Sequence, residues 1–244
     1  MSDFRRYVPP HGTARYAGLG HQEILDGLPA ARKALWQTKL ASLRDIPFKG
    51  VTTDGDILKG LFALRDEGAP TAAVIEAVAK LLPLMADAQR AAVMHPIDSA
   101  ARRMWVNEVP RYERYGVWLD EAPPHVRDAV MNVLRVSLSA AGFEKSRDVM
   151  RLNGFLGDLV GAPIALGEFC YQFHVFGEPS ASQPWGWQLY GHHLCLTCFM
   201  LGGQMTLTPA FMGAEPRYAD AGAHAGLRLF EEDRKSTRLN SSHT

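Results

Sequence analysis

Imidazole and indole side chains crowd one short stretch of this chain. Pro184-Trp-Gly-Trp187 is followed by Gly191-His-His-Leu194, with His174 and Glu178 a little upstream. An imidazole titrates near neutral pH, so it can hold a divalent metal ion or move a proton in acid–base catalysis. If the dipeptide lay inside a strand, His192 and His193 would face opposite sides and only one could enter a given pocket. Pairing of the His174 segment with the His192 segment would bring two imidazoles to one face, with Glu178 at the loop entrance. Two nitrogens and a carboxylate make a ligand set for a divalent transition metal. His192, His174 and Glu178 are therefore the candidate metal ligands and the candidate catalytic groups. Trp185, Trp187 and His193 are the candidate ligand-binding residues beside them. A strand histidine serves equally as hydrogen-bonded packing, and spacing alone does not choose between these roles.

Arg103, Trp105, Arg111 and Arg114 form a second cluster. Guanidinium groups among aromatics can clamp a carboxylate or phosphate, or simply stack and cap at a surface. Arg103, Trp105 and Arg111 are taken as a far wall of the same site. Cys195-Leu-Thr-Cys198 has redox or half-zinc spacing, but it falls in a strand-like run where positions three apart face opposite sides. Both cysteines read as small apolar strand residues. No phosphate-cradling glycine loop, dinucleotide fingerprint or Gly-x-Ser-x-Gly elbow is present.

The elements that must position these groups divide into helices first and strands later. Ile24, Leu25, Leu28, Ala31, Leu35 and Leu43 recur at helical spacing from His21 to about Arg44. Thr53 and Asp56 resemble a capping box ahead of a face formed by Ile57, Leu61 and Leu64. Gly68 is a candidate stop, Pro70 a candidate first helical residue, and Pro83 predicts a break in the run Thr71–Met85. Pro123-Pro124 opens an amphipathic helix carrying Val126, Val130, Val133, Leu134 and Leu138, with Gly142 as its stop. A second carries Val149, Leu152, Leu156, Leu159 and Val160 and stops at Gly161. Tyr171–Phe176 alternates as a strand, and Trp187–Met200 reads as a long one. Gly202-Gly203 then separates it from Gln204–Thr208. This order predicts an α+β fold: an N-terminal helical region followed by an antiparallel sheet. We divide the chain into an arm over 1–20 and a single domain over 21–232, helical over 21–160 and mainly β over 168–215.

The 244 residues carry 26 basic and 26 acidic side chains, so no bulk charge points to nucleic acid. At 47% hydrophobic and 21% charged the composition is that of an ordinary globular chain. No apolar run reaches the ~20 residues of a membrane helix. The N-terminus lacks the apolar stretch of a secretory signal, and three cysteines fit a reducing compartment. A cytoplasmic protein with a small-molecule partner, and with neither nucleic acid nor membrane, is expected. The polar, aperiodic segment from Asp233 to Thr244 is similar to the in-frame translation of a sequencing-adapter read, and is set aside as an artefact of 233–244. The natural chain is accordingly expected to continue beyond Glu232.

Gly177-Glu-Pro-Ser180, Pro184-Trp-Gly-Trp-Gln188, Gly191-His-His-Leu194 and Thr208 to Pro216 together resemble the family called domain of unknown function 3500. Arg103-Met-Trp105, Pro110-Arg111, Gly116, Leu119 and Arg151-Leu-Asn-Gly154 are similar to it too. The resemblance runs from about Met94 to Glu232. It implies a longer chain continuing in helix, and many relatives that are exported, but it supplies no reaction. Three functions remain open: a metal-assisted, hydrolase-like enzyme on a small polar substrate; a non-catalytic binder of a small anionic or sugar-like ligand; and an assembly module that uses its aromatics as a contact surface.

Overall fold

The computed structural model describes residues 3–7, 18–46, 56, 58–61 and 63–231. Among them the helices are α1 (His21–Asp26), α2 (Ala30–Asp45), α3 (Thr71–Leu81), α4 (Asp87–Val93), α5 (Pro124–Ser137) and α6 (Ala140–Val160). The strands are β1 (Met94–His95), β2 (Val117–Trp118), β3 (Tyr171–Phe176), β4 (Trp185–Gly191), β5 (Leu194–Leu201) and β6 (Gln204–Met212). The fold is α+β, with helices preceding most of the sheet. The sheet runs β1-β3-β4-β5-β6, and β2 shares the β1 side of β3. It is antiparallel except for β1, which lies parallel to the end of β3.

Local chemistry explains most element ends. Pro124 fills the first position of α5, where a missing N–H costs nothing. Pro83 lies in a 3-10 turn directly after α3, which stops at Leu81. Gly161 ends α6 at φ 70°, a conformation that favours glycine. Gly142 does not close α5, contrary to expectation. Leu138 turns extended, Ser139 accepts the Gly142 N–H at 3.1 Å, and Gly142 sits in the first turn of α6. Gly27-Leu28-Pro29 splits the expected first helix into α1 and α2. Pro70 precedes α3 rather than opening it. Leu61 and Leu64 lie on no helix and are exposed, while Thr53 and Ile57 fall outside the described residues.

One sheet face carries Tyr171, Phe173, Val175, Trp185, Trp187, Leu189, Leu196, Cys198 and Met200, packed against α3, α5 and α6 through Val74, Val78, Val130, Leu134, Val149 and Leu152. The other face carries Gln172, His174, Gln188 and Tyr190, also buried. It is covered by the irregular segment between β1 and β2: Gln188 donates to the Arg102 carbonyl at 2.9 Å, and His174 meets His95. Behind that segment Leu40 of α2 packs on Met104 and Val106. Covered on both faces, β3 and most of β4 are buried at every position instead of alternating. Gly186 is required by close approach, since a Cβ there would lie 2.1 Å from the Cys198 carbonyl oxygen.

On the outer side of β5, Leu196 pairs with Ala210 and Cys198 with Leu207. Thr208 and Pro209 of β6 therefore oppose Thr197 alone, a two-against-one bulge. No helix among the described residues is long and apolar enough to cross a membrane.

Candidate metal centre

Gly191 pairs with Leu194, so His192 and His193 form the two-residue turn of the β4–β5 hairpin rather than strand interior. The expectation of opposite faces fails for this reason. In the turn the two rings lie on the same side, with centroids 3.9 Å apart. His193 adopts φ 62°, the left-handed region, at a cost of about 1 kcal/mol. Its neighbours hold it there. Its N–H donates to Asn107 Oδ1 at 2.6 Å, and its carbonyl accepts from the Gly213 N–H at 2.7 Å. The His192 carbonyl accepts from the Tyr171 hydroxyl at 2.9 Å.

The protonation pattern of His192 follows from its partners. Asn153 Nδ2 donates to the Gly167 carbonyl at 2.9 Å, which leaves Asn153 Oδ1 as an acceptor. His192 Nδ1 lies 2.9 Å from that oxygen and must carry the hydrogen. Its Nε2 then bears a lone pair and points toward Glu215 Oε2, 3.9 Å away. His193 Nε2 is 3.1 Å from the same oxygen. Burial, and secondarily His193, push the His192 pKa down to about 3, so the ring is neutral at ordinary pH. One donor atom from each of His192, His193 and Glu215 falls within 4.8 Å of the others. An imidazole fixed by a hydrogen bond from its far nitrogen is the usual state of a metal-bound histidine.

A cleft of about 300 Å³ opens over this trio. Ile24, Leu28, Ala162 and Leu166 give it an apolar wall, and Arg32, Asn107 and Glu108 a polar one. Arg32 pairs with Glu108 at 2.9 Å, and Glu108 also accepts from the Tyr112 hydroxyl at 2.6 Å. Together these hold Glu108 below the usual carboxylate range, although its burial acts the other way.

The other expected site residues are dispersed. His174 pairs with Gln188 in the β3–β4 register, several residues along the ladder from His192. It is completely buried, with Nδ1 3.0 Å from His95 Nε2 and Nε2 3.1 Å from Gln172 Oε1. Glu178 is exposed in the loop after the far end of β3. His174, His192 and Glu178 therefore do not form one ligand set. Trp185 and Trp187 lie in the core beneath the helices, and Trp187 Nε1 donates to Ser137 Oγ at 3.0 Å. Trp105 packs on Phe211, and neither it nor Arg103 lines the cleft. Arg111 is buried over the Trp118 ring, bonded to Asp120 and Glu121, in a narrower space that His192 also borders. Cys195 and Cys198 are free and buried, and burial pushes both thiols up to about 12. Glu215, Asn107 and Asn153 escaped sequence reasoning. The only signal available was the break of apolar character at Gly191-His-His between two apolar runs, which carries none of the usual turn residues beyond the glycine.

The fold and cleft define an α+β protein with a histidine-bearing hairpin turn over a small pocket. The chain belongs to the family described as Protein of unknown function (DUF3500), whose model matches residues 67–240. No curated protein and no solved structure matches it. His192, His193, Glu215, Asn107 and Asn153 all lie in the matched segment, whereas Ile24, Leu28 and Arg32 of the opposite wall lie outside it.

Proposed function

We propose that the cleft is the active site of a metal-assisted, hydrolase-like enzyme acting on a small polar substrate. His192, His193 and Glu215 are its ligands for a divalent transition metal. The observation that carries this reading is the lone pair on His192 Nε2, fixed by Asn153 and aimed at a carboxylate beside an open cleft. Three protein donors leave coordination positions for water and substrate, the pattern of catalytic rather than structural zinc. A bound ion there would polarise a substrate oxygen or lower the pKa of a bound water. Asn107, whose Oδ1 is already engaged, keeps Nδ2 free to donate to a substrate oxygen. A cleft of this size lies at the lower end for small-molecule sites. The strained His193 backbone supports the reading, because strain retained on a ligand-bearing residue is a mark of function.

Titration calorimetry of the full-length protein with Zn²⁺, Mn²⁺ and Co²⁺ tests this, followed by turnover of small ester, amide and phosphoester substrates. We expect one ion bound through the trio, an affinity loss of roughly tenfold or more for His192→Ala and for Glu215→Gln, and hydrolysis that follows metal loading. Binding of metal without turnover would favour the non-catalytic binder. Absence of any metal response would end the reading.

A further inference from the structure

Beside the narrower space on the other side of His192 lies a second convergence of electron-pair donors, independent of the first. His21 Nδ1 lies 3.2 Å from the Val109 carbonyl and donates to it, so Nε2 carries the lone pair. That nitrogen is buried and has no hydrogen-bond partner. It lies 3.8 Å from Asp120 Oδ2, and Cys170 Sγ lies 3.8 Å from the same oxygen. One donor atom from each residue falls within 4.8 Å of the others. The buried guanidinium of Arg111 donates to the same Asp120 oxygen, and Cys170 Sγ accepts from the Gly167 N–H at 3.0 Å.

We propose that His21, Asp120 and Cys170 form a second cation site, for a thiophilic divalent ion of the zinc type. Of the three donor atoms His21 Nε2 has no hydrogen-bond partner, whereas Asp120 Oδ2 accepts from Arg111 and the Cys170 thiol can donate to the Ile164 carbonyl at 3.4 Å. A cation takes a lone pair from each. Thiolate, imidazole and carboxylate together suit zinc-like ions rather than magnesium or calcium. His21 and Cys170 border a space of about 20 Å³, enough for an ion or a water. Binding forms an Sγ–metal bond and releases the thiol proton to solvent. His21 lies outside the family-matched segment, while Asp120 and Cys170 lie within it. The N-terminal helices thus supply the nitrogen donor.

Cobalt distinguishes this site from the hairpin site, because only here is sulfur a ligand. Full-length His192→Ala/His193→Ala protein, with the hairpin site silenced, is titrated with Co²⁺ and the sulfur-to-cobalt charge-transfer band is followed in the near ultraviolet. We expect a band that saturates at one equivalent and vanishes in Cys170→Ser. His21→Gln keeps the sulfur and should weaken binding by roughly tenfold or more. A folded protein with no such band overturns the proposal, as does a band that survives Cys170→Ser.

Discussion

Lowering the pH should unfold this protein through its buried histidines, and His174 allows the effect to be isolated. The ring is fully buried against Tyr190 and Phe176. His95 Nε2–H donates to its Nδ1, and its own Nε2–H donates to Gln172. Both nitrogens are engaged with the ring neutral. Burial above all, with His95 adding to it, pushes its pKa down to about 3. In the unfolded chain a histidine titrates at about 6.5. Below that pH the unfolded state takes up a proton that the folded state refuses, so stability falls as pH falls. Between about pH 7 and pH 5 the loss from this one residue is about 2 kcal/mol, and it reaches about 4 kcal/mol at the folded pKa. That is a large share of the ~5–15 kcal/mol holding a typical protein folded.

The test is urea unfolding at both pH values, with chelator present, followed by the fluorescence of the buried Trp185 and Trp187. In His174→Gln the amide can accept from His95 and donate toward Gln172 without titrating. The variant should be less stable than the parent at neutral pH but lose about 2 kcal/mol less on acidification. His21, His192 and the carboxylates are common to both proteins and cancel. Equal pH dependence in parent and variant would refute the reasoning.

Removing the Ser137 hydroxyl as alanine leaves the buried Trp187 N–H without an acceptor, and should cost about 1–3 kcal/mol in denaturant unfolding with little effect on metal binding. Gly186→Ala should be worse, since its Cβ meets β5 backbone and not a flexible side-chain end; loss of expression or a Tm drop of more than ten degrees is expected. Asn153→Ala frees the His192 ring without touching the metal, and zinc affinity by calorimetry should fall about 10–100-fold. His193→Asn places a residue tolerant of φ 62° in the turn; thermal unfolding should stay within a few degrees of the parent while zinc affinity falls about tenfold or more.

How far the sequence discloses the molecule depends on the range of the interaction concerned. Pro83, Pro124 and Gly161 act on their own backbone, and the boundaries they predict are where the structure has them. Gly142 misleads because Ser139, three residues earlier, provides the cap that starts a new helix. Indole pairs at 185 and 187 necessarily share a sheet face, but which face meets the helices is decided by Val130, Leu134 and their neighbours. The hairpin was hidden because its turn uses histidine at a positive φ where glycine or asparagine would advertise it. The turn at 192–193 fixes the β4–β5 register, while the separate β3–β4 pairing sets His174 opposite Gln188 and away from His192. Glu215, Asn153, Asn107 and His21 reach the two donor sets only through tertiary folding, so no spacing rule connects them.

The bulge at Thr208-Pro209 bears on how this protein behaves in crowded solution. Among the described residues strand β6 ends the sheet, and such a border offers N–H and C=O groups to any extended chain that drifts by. Pro209 has no N–H to offer a neighbouring strand, and the extra residue bends β6 away from flatness. Replacing Thr208-Pro209 with a single valine would straighten the border into a sticky ladder, and this otherwise well-buried fold would become prone to polymerise strand upon strand.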